Sequence, residues 1–231
     1  MTRRELLPVA LVLLSTISDA AGAQSLSFYL LLAAVPAIVV AGLAALEEVP
    51  RELFVPQGQR HLAFEDCPLP IGGGQTISQP YIVALMVQLL EVQGHHRVLD
   101  VGSGSGYQTA VLARLARHVY AIERIPELAE RARAILAELG VTNVTIRVGD
   151  GTLGWKEEAP FDGIICGAGA PQLPPAWIEQ LAEGGRIVAP VGDRWAQNLV
   201  IATKQHGEIK QRSETPCVFV PLIGEHGFAE M

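Results

Sequence analysis

The chain has 231 residues, 18% of them charged, with a net charge of −7. That length holds one large domain and a short appendage rather than two full domains. Arg3, Arg4, Glu5 and Asp19 cancel, so the acidic excess belongs to residues 47–231, where no Lys/Arg-rich run occurs and a nucleic-acid partner is disfavoured. Cys67, Cys166 and Cys217 are far apart and lack C-x-x-C spacing, which suggests neither a disulfide framework nor a zinc site; no metal is expected.

Residues 1–46 form an apolar segment distinct from a domain over 47–231. An apolar run at 6–17 follows Arg3 and Arg4 and precedes Ala21-Gly22-Ala23, the outline of a secretory signal. Leu26–Leu46 is uncharged and long enough to cross a bilayer. Three readings are open: a membrane hairpin with both ends in the cytoplasm, a cleaved signal followed by an anchor, or a helix buried against the following domain.

Residues 47–70 read as a Pro- and acid-containing connector. Apolar residues then recur at helical spacing from Tyr81 to Leu90, behind Pro80. Beyond this the chain alternates. Strands are expected at Arg97–Val101, His118–Glu123, Val144–Val148, Phe161–Cys166 and Arg186–Pro190. Helices are expected at Gln108–Ala116, Ile125–Leu139 and Pro175–Leu181. Asn198–Lys204 and Cys217–Pro221 read as closing strands. Alternation at this spacing predicts an α/β fold with a doubly wound, mostly parallel, Rossmann-like sheet, its ligand at the carboxyl ends of the strands.

Three elements point to one ligand. VLDVGSGSGYQ (Val98–Gln108) leaves a strand and enters a helix, and Gly102, Gly104 and Gly106 let the backbone turn tightly. Tyr107 stands where a dinucleotide fingerprint needs its third glycine, whereas D-x-G-x-G-x-G fits S-adenosylmethionine (SAM) enzymes. Glu123, ending the next strand, can accept both ribose hydroxyls. Asp150-Gly151, after the third strand, can accept from the adenine amino group. The fourth strand ends in CGAGAP (Cys166–Pro171), without the Asn/Asp-Pro-Pro-aromatic run of nitrogen methylation. A carboxylate acceptor would need no base, since it is already ionised at neutral pH. Trp155, Trp177 and Trp195 read as packing or rim residues, Cys166 as a buried small hydrophobe, and Glu157-Glu158 as a solvated loop.

PLPIGGGQTISQPYIVALM (Pro68–Met86) resembles the signature of protein-L-isoaspartate O-methyltransferases. So do VPRELFVP (Val49–Pro56), VGSGSGYQTAVLA, Glu123-Arg124, GDG (Gly149–Gly151), APFDGII and FVPL (Phe219–Leu222). The resemblance runs from about Val40 to Leu222. It implies methylation of the α-carboxylate of L-isoaspartyl and D-aspartyl residues in damaged proteins, with repair through a succinimide. It also implies Ser78 as the catalytic residue. The implied cofactor set is Thr76, Ile77, Ser78, Gly102, Ser103, Gly104, Gly106, Tyr107, Gln108, Glu123, Arg124, Asp150 and Gly151. Ile77, Gln79, Val220 and Pro221 are implied to meet the peptide. Ser78 could instead cap the helix that begins at Pro80. Residues 1–39 depart from the family, which carries soluble amphipathic helices there. Because SAM is made in the cytosol, the catalytic domain is expected in the cytoplasm, tethered to the inner membrane face if 6–46 form the hairpin. Two other functions are compatible: a SAM methyltransferase with another carboxylate or hydroxyl acceptor, and a membrane-tethered SAM-binding pseudoenzyme.

Overall fold

A computed structural model of the chain describes residues 45–230. The expectations for residues 1–44 lie outside the described residues. Among those described, no helix is long and apolar enough to cross a membrane.

Two short 3₁₀ turns, Arg51–Phe54 and Gln57–Leu62, lead into a small antiparallel hairpin of β1 (Leu69–Gly72) and β2 (Gln75–Ile77). Helix α1 (Pro80–Leu90) follows. The main sheet then begins: β3 (Arg97–Val101), α2 (Tyr107–Leu115), β4 (His118–Glu123), α3 (Pro126–Glu138), β5 (Val144–Val148), β6 (Phe161–Cys166), α4 (Pro175–Gln180), β7 (Leu181–Gly192), β8 (Gln197–Gln205) and β9 (Glu208–Cys217). Its order is β5-β4-β3-β6-β7-β8-β9. The first five are parallel neighbours, and β8 and β9 are added antiparallel. The expected doubly wound sheet is therefore present. The chain winds outward from β3 to β5, then returns to the other side of β3 at β6, which makes the β3/β6 junction the switch point where such sheets bind ligands.

Successive strand residues divide between two cores, as the pleat requires. Val98, Val119, Ile165, Val188 and Ile201 pack with apolar residues of α1, α2 and α3. Leu99, Ile122, Ile164, Ile187 and Ala202 pack with Trp177 of α4. Both faces are covered, so the central strands are mostly apolar on both faces, with the buried Asp100 of β3 an exception.

Most expected elements are met to within a residue at either end; three features differ by more. The β1–β2 hairpin is an addition: its strands are too short for periodicity to register. β7 starts at Leu181, directly after α4, because Leu181 pairs with Phe161 before a register shift that spans Gly184-Gly185, a stretch that reads as loop. The last strand is Glu208–Cys217 rather than Cys217–Pro221. It is a polar edge strand, mostly exposed, joined to β8 through His206-Gly207, both at positive φ. Beyond it, Pro221 makes an isolated parallel bridge to Gly169.

Candidate active site

At the switch point the backbone is held before any ligand is considered. Gly102 N–H donates to Ile122 O at 2.8 Å, and Gly167 N–H donates to Val101 O at 2.8 Å, tying the loops after β3, β4 and β6 together. Gly102, Gly104 and Gly106 have φ of 72°, 54° and 87°, the left-handed region that residues with a Cβ avoid.

Asp100, the acid that opens the glycine motif, is fully buried under this loop. It accepts from Gln108 Nε2 at 2.9 Å and Thr109 Oγ1 at 2.6 Å, fastening the first turn of α2 to β3. Burial raises its carboxyl to about 6; the Thr109 and Gln108 bonds oppose this, and the neighbouring Glu123 adds to it.

Glu123 also organises the loop. Its Oε2 accepts from Gly104 N–H and its Oε1 from Ile125 N–H, each at 2.8 Å. A carboxylate offers about four lone-pair sites, so each oxygen keeps one for a ligand hydroxyl.

Three adjoining lobes form one cleft, with Thr76 and Gly167 lining all three. The first lobe, about 580 Å³ of open space, is lined by Gly102, Gly104, Glu123, Arg124, Gly151, Val220 and Pro221, among others. The middle lobe holds Ile77, Ser78, Gly102, Ser103, Gly104, Tyr107 and Gln108. The outer lobe, about 650 Å³, holds Ser78, Gln79, Tyr81, Val218, Phe219 and Val220. Ser78 and Thr76 thus stand where the middle and outer lobes meet.

Several expected residues sit differently from the reading above. Pro221 lines the first lobe and Ile77 the middle one, both away from the outer lobe. Gly106 is turned to the protein: a Cβ there would lie 2.9 Å from Ala132 Cβ in α3. Asp150 is engaged by the C-terminal segment. Its Oδ2 accepts from Glu225 N–H at 2.8 Å, and its Oδ1 from Thr152 N–H at 2.8 Å and Thr152 Oγ1 at 2.7 Å. Its carboxyl is held below the ordinary range; burial opposes the shift, but the bonds from Glu225 and Thr152 outweigh it. Arg124 pairs with Glu230 at 2.8 Å.

Ser78 does not cap α1. The cap residue is Gln79, and no side chain of its own caps the helix.

Two residues were not anticipated in these roles. Gly167 lines every lobe, and its Cβ would meet Gly102 O at 2.9 Å, but the CGAGAP run signalled only what it lacked. Arg51, wholly buried, donates from Nη2 to Ser78 O at 2.8 Å. Trp177, read above as a packing or rim residue, is wholly buried packing and donates from Nε1 to the carbonyl of Gly151, which lines the first lobe, at 2.9 Å. Trp195, by contrast, is 78% exposed, and Glu158 pairs with Arg97 at 2.9 Å rather than standing free.

The cleft suits an adenosyl amino acid. Gly151 and Gly167, which line it, pack so closely on Val101 and Gly102 that a Cβ at either would force the loops apart, so these glycines hold the cleft's walls in place. The buried Ser103 hydroxyl has no hydrogen-bond partner among the described residues, a cost that a ligand would relieve. A parallel sheet with this loop at its switch point and a carboxylate ending the next strand defines a SAM-dependent methyltransferase.

The comparisons narrow the class. The family model for protein-L-isoaspartate(D-aspartate) O-methyltransferase matches residues 39–227, and the chain belongs to that family. It is 52% identical to the protein-L-isoaspartate O-methyltransferase of Methanoculleus marisnigri, covering 80% of this chain and 84% of that one. It is 56% identical to protein-L-isoaspartate O-methyltransferase 2 of Marinobacter nauticus, covering 80% and 86%. Among solved structures, one protein-L-isoaspartate O-methyltransferase superposes with a TM-score of 0.73 at 29% identity, over 81% of this chain but only 62% of that longer one. The Plasmodium falciparum β-aspartate methyltransferase, in complex with S-adenosyl-L-homocysteine, gives 0.70 at 27% identity, over 80% and 90%.

Proposed function

We infer that the chain transfers the methyl group of SAM to the α-carboxylate of L-isoaspartyl, and D-aspartyl, residues in damaged proteins, which starts their repair through a succinimide. The observation that carries this reading is the position of Ser78, shared by the lobe of the glycine loop and the outer lobe.

SAM supplies an electrophilic methyl on its sulfonium. Glu123, with a free lone-pair site on each oxygen, would hold the ribose hydroxyls; Gly102 and Gly104 leave room for the nucleoside; Ser103 would donate to the amino-acid end. On the acceptor side, the outer lobe has no carboxylate, imidazole or amine among its described lining residues. Its two titratable side chains, Tyr81 and Cys217, are both pushed up by burial and so stay protonated at neutral pH, which suits a nucleophile that is already an anion there. The remaining task is alignment of oxygen, carbon and sulfur, worth up to roughly 7–11 kcal/mol. The Ser78 hydroxyl can orient a carboxylate oxygen without neutralising it, whereas an arginine would stabilise the ground state more than the transition state. Gln79 and the Val220 segment would flank the peptide.

Ser78→Ala should lower turnover of an isoaspartyl peptide while S-adenosylhomocysteine still binds in calorimetry. Unchanged turnover removes Ser78 from the chemistry.

The domain is proposed to work in the cytoplasm, where SAM is made, with the apolar segment that precedes Ala45 associating it with the inner membrane face; Ala45 and Leu46 themselves are buried in the domain's core. Fractionation of the full chain checks this: it should sediment with membranes and be released by detergent, and recovery in the soluble fraction rejects the tether.

A further inference from the structure

The first turn of α1 presents an N–H that seeks an acceptor, and the cap residue, Gln79, supplies none from its own side chain. Here the acceptor comes from elsewhere. Pro80 occupies the first helical position and has no N–H; the next, Tyr81 N–H, donates to Asp66 Oδ1 at 3.1 Å. Asp66 Oδ2 also lies 3.5 Å from Gln79 Nε2. On the other side of the same loop, Ser78 O accepts from Arg51 Nη2 at 2.8 Å, while Arg51 Nε donates to Ala63 O at 2.7 Å. The Arg51 guanidinium lies 4.9 Å from the ring centroid of Tyr107, the first residue of α2 after the glycine loop.

Arg51 is wholly buried, an expensive place for a cation; Nε and Nη2 are used as above, while Nη1 has no hydrogen-bond partner among the described residues. Burial lowers it to about 10, still protonated at neutral pH, and nearby Asp66 is among the groups that favour the charged form. One cation thus ties the connector, the Ser78 loop and the start of α2 into a single frame.

We propose that Asp66 and Arg51 are positioning residues for methyl transfer: Asp66 takes over the helix cap and Arg51 takes the Ser78 carbonyl, so that the Ser78 hydroxyl is left for the substrate at a fixed distance from the glycine loop. The proposal rests on the reading of Ser78 given above.

The test uses the full chain, with Asp66→Ala and Asp66→Asn each made alone and in the Ser78→Ala background. Asp66 is exposed, so neither change empties a core. Turnover of an isoaspartyl peptide and S-adenosylhomocysteine affinity are measured for each. Asp66→Ala should lower kcat roughly tenfold, in line with the cost of a small misplacement, with the S-adenosylhomocysteine Kd unchanged. Asp66→Asn keeps an oxygen for Tyr81 N–H and should restore most of the rate. In the Ser78→Ala background the Asp66→Ala loss should vanish, since groups acting as a unit are not additive. Arg51→Lys, which keeps the charge but cannot reach both carbonyls, should show the same dependence on Ser78. An Asp66→Ala loss that persists undiminished without the Ser78 hydroxyl, or one that Asn does not repair, overturns the clamp and leaves Ser78 in place. Full turnover by Ser78→Ala alone instead overturns the reading of Ser78, and the clamp with it.

Discussion

Gly106→Ala separates two explanations of the glycine loop. If Gly106 exists to let a ligand approach, a methyl there should cost cofactor affinity; the structure assigns it to packing. Its φ of 87° is left-handed, which costs a residue with a Cβ roughly 1–2 kcal/mol. The new Cβ would also lie 2.9 Å from Ala132 Cβ and 3.4 Å from Ala132 Cα, where α3 has no room to yield. Overpacking of this kind costs about 1–3 kcal/mol. Together these predict a loss of roughly 2–5 kcal/mol, or a fall in Tm of about 2–4 °C per kcal/mol for a domain of this size. Adding Ala132→Gly removes the steric part but not the backbone part, at roughly 1 kcal/mol for a glycine inside a helix. The two substitutions should therefore be non-additive, the pair costing less than the sum. Denaturant unfolding of the single and double variants measures stability, and calorimetry with S-adenosylhomocysteine measures the site. A Gly106→Ala protein that keeps its unfolding midpoint but no longer binds S-adenosylhomocysteine would refute the packing argument.

Two further outcomes follow from the charged groups near the loop. Asp100 has a folded pKa of about 6 against 3.8, so its contribution to stability is fully present below the unfolded value and is lost as pH rises through about 6. Asp100→Asn should consequently gain on the parent by up to roughly 3 kcal/mol between pH 4 and pH 7, and a stability difference independent of pH contradicts this. Asp150→Ala should release the C-terminal segment, so amide exchange at Glu225 and His226 should quicken while exchange in β3 stays slow; unchanged exchange at Glu225 means the carboxylate is not the anchor.

The parallel core was legible because each strand is a short apolar run between helical patterns, and both faces of the sheet are buried. β9 was not, because Glu208–Cys217 is an exposed edge whose side chains face water and carry no alternation. The glycine loop and Glu123 were found from local spacing. Glu123's bond to Ile125 is local, whereas its bond to Gly104 crosses 19 residues and follows from the parallel pairing of β3 with β4 that the strand pattern already implied. Arg51 and Asp66 escaped because their partners are 12 to 27 residues away, and no spacing rule links an arginine to a distant carbonyl. Asp150 shows the same limit in reverse. Its place after β5 was correct, but its acceptance from Glu225 crosses 75 residues of chain and depends on how the C-terminus returns.

The most direct measurement is methyl transfer from labelled SAM to a matched pair of peptides, identical but for one isoaspartyl or aspartyl linkage, with methanol released from the ester as the readout. The account predicts methanol from the isoaspartyl peptide and none above background from its aspartyl twin. Equal labelling of both, or labelling of neither by protein that binds S-adenosylhomocysteine, would contradict it.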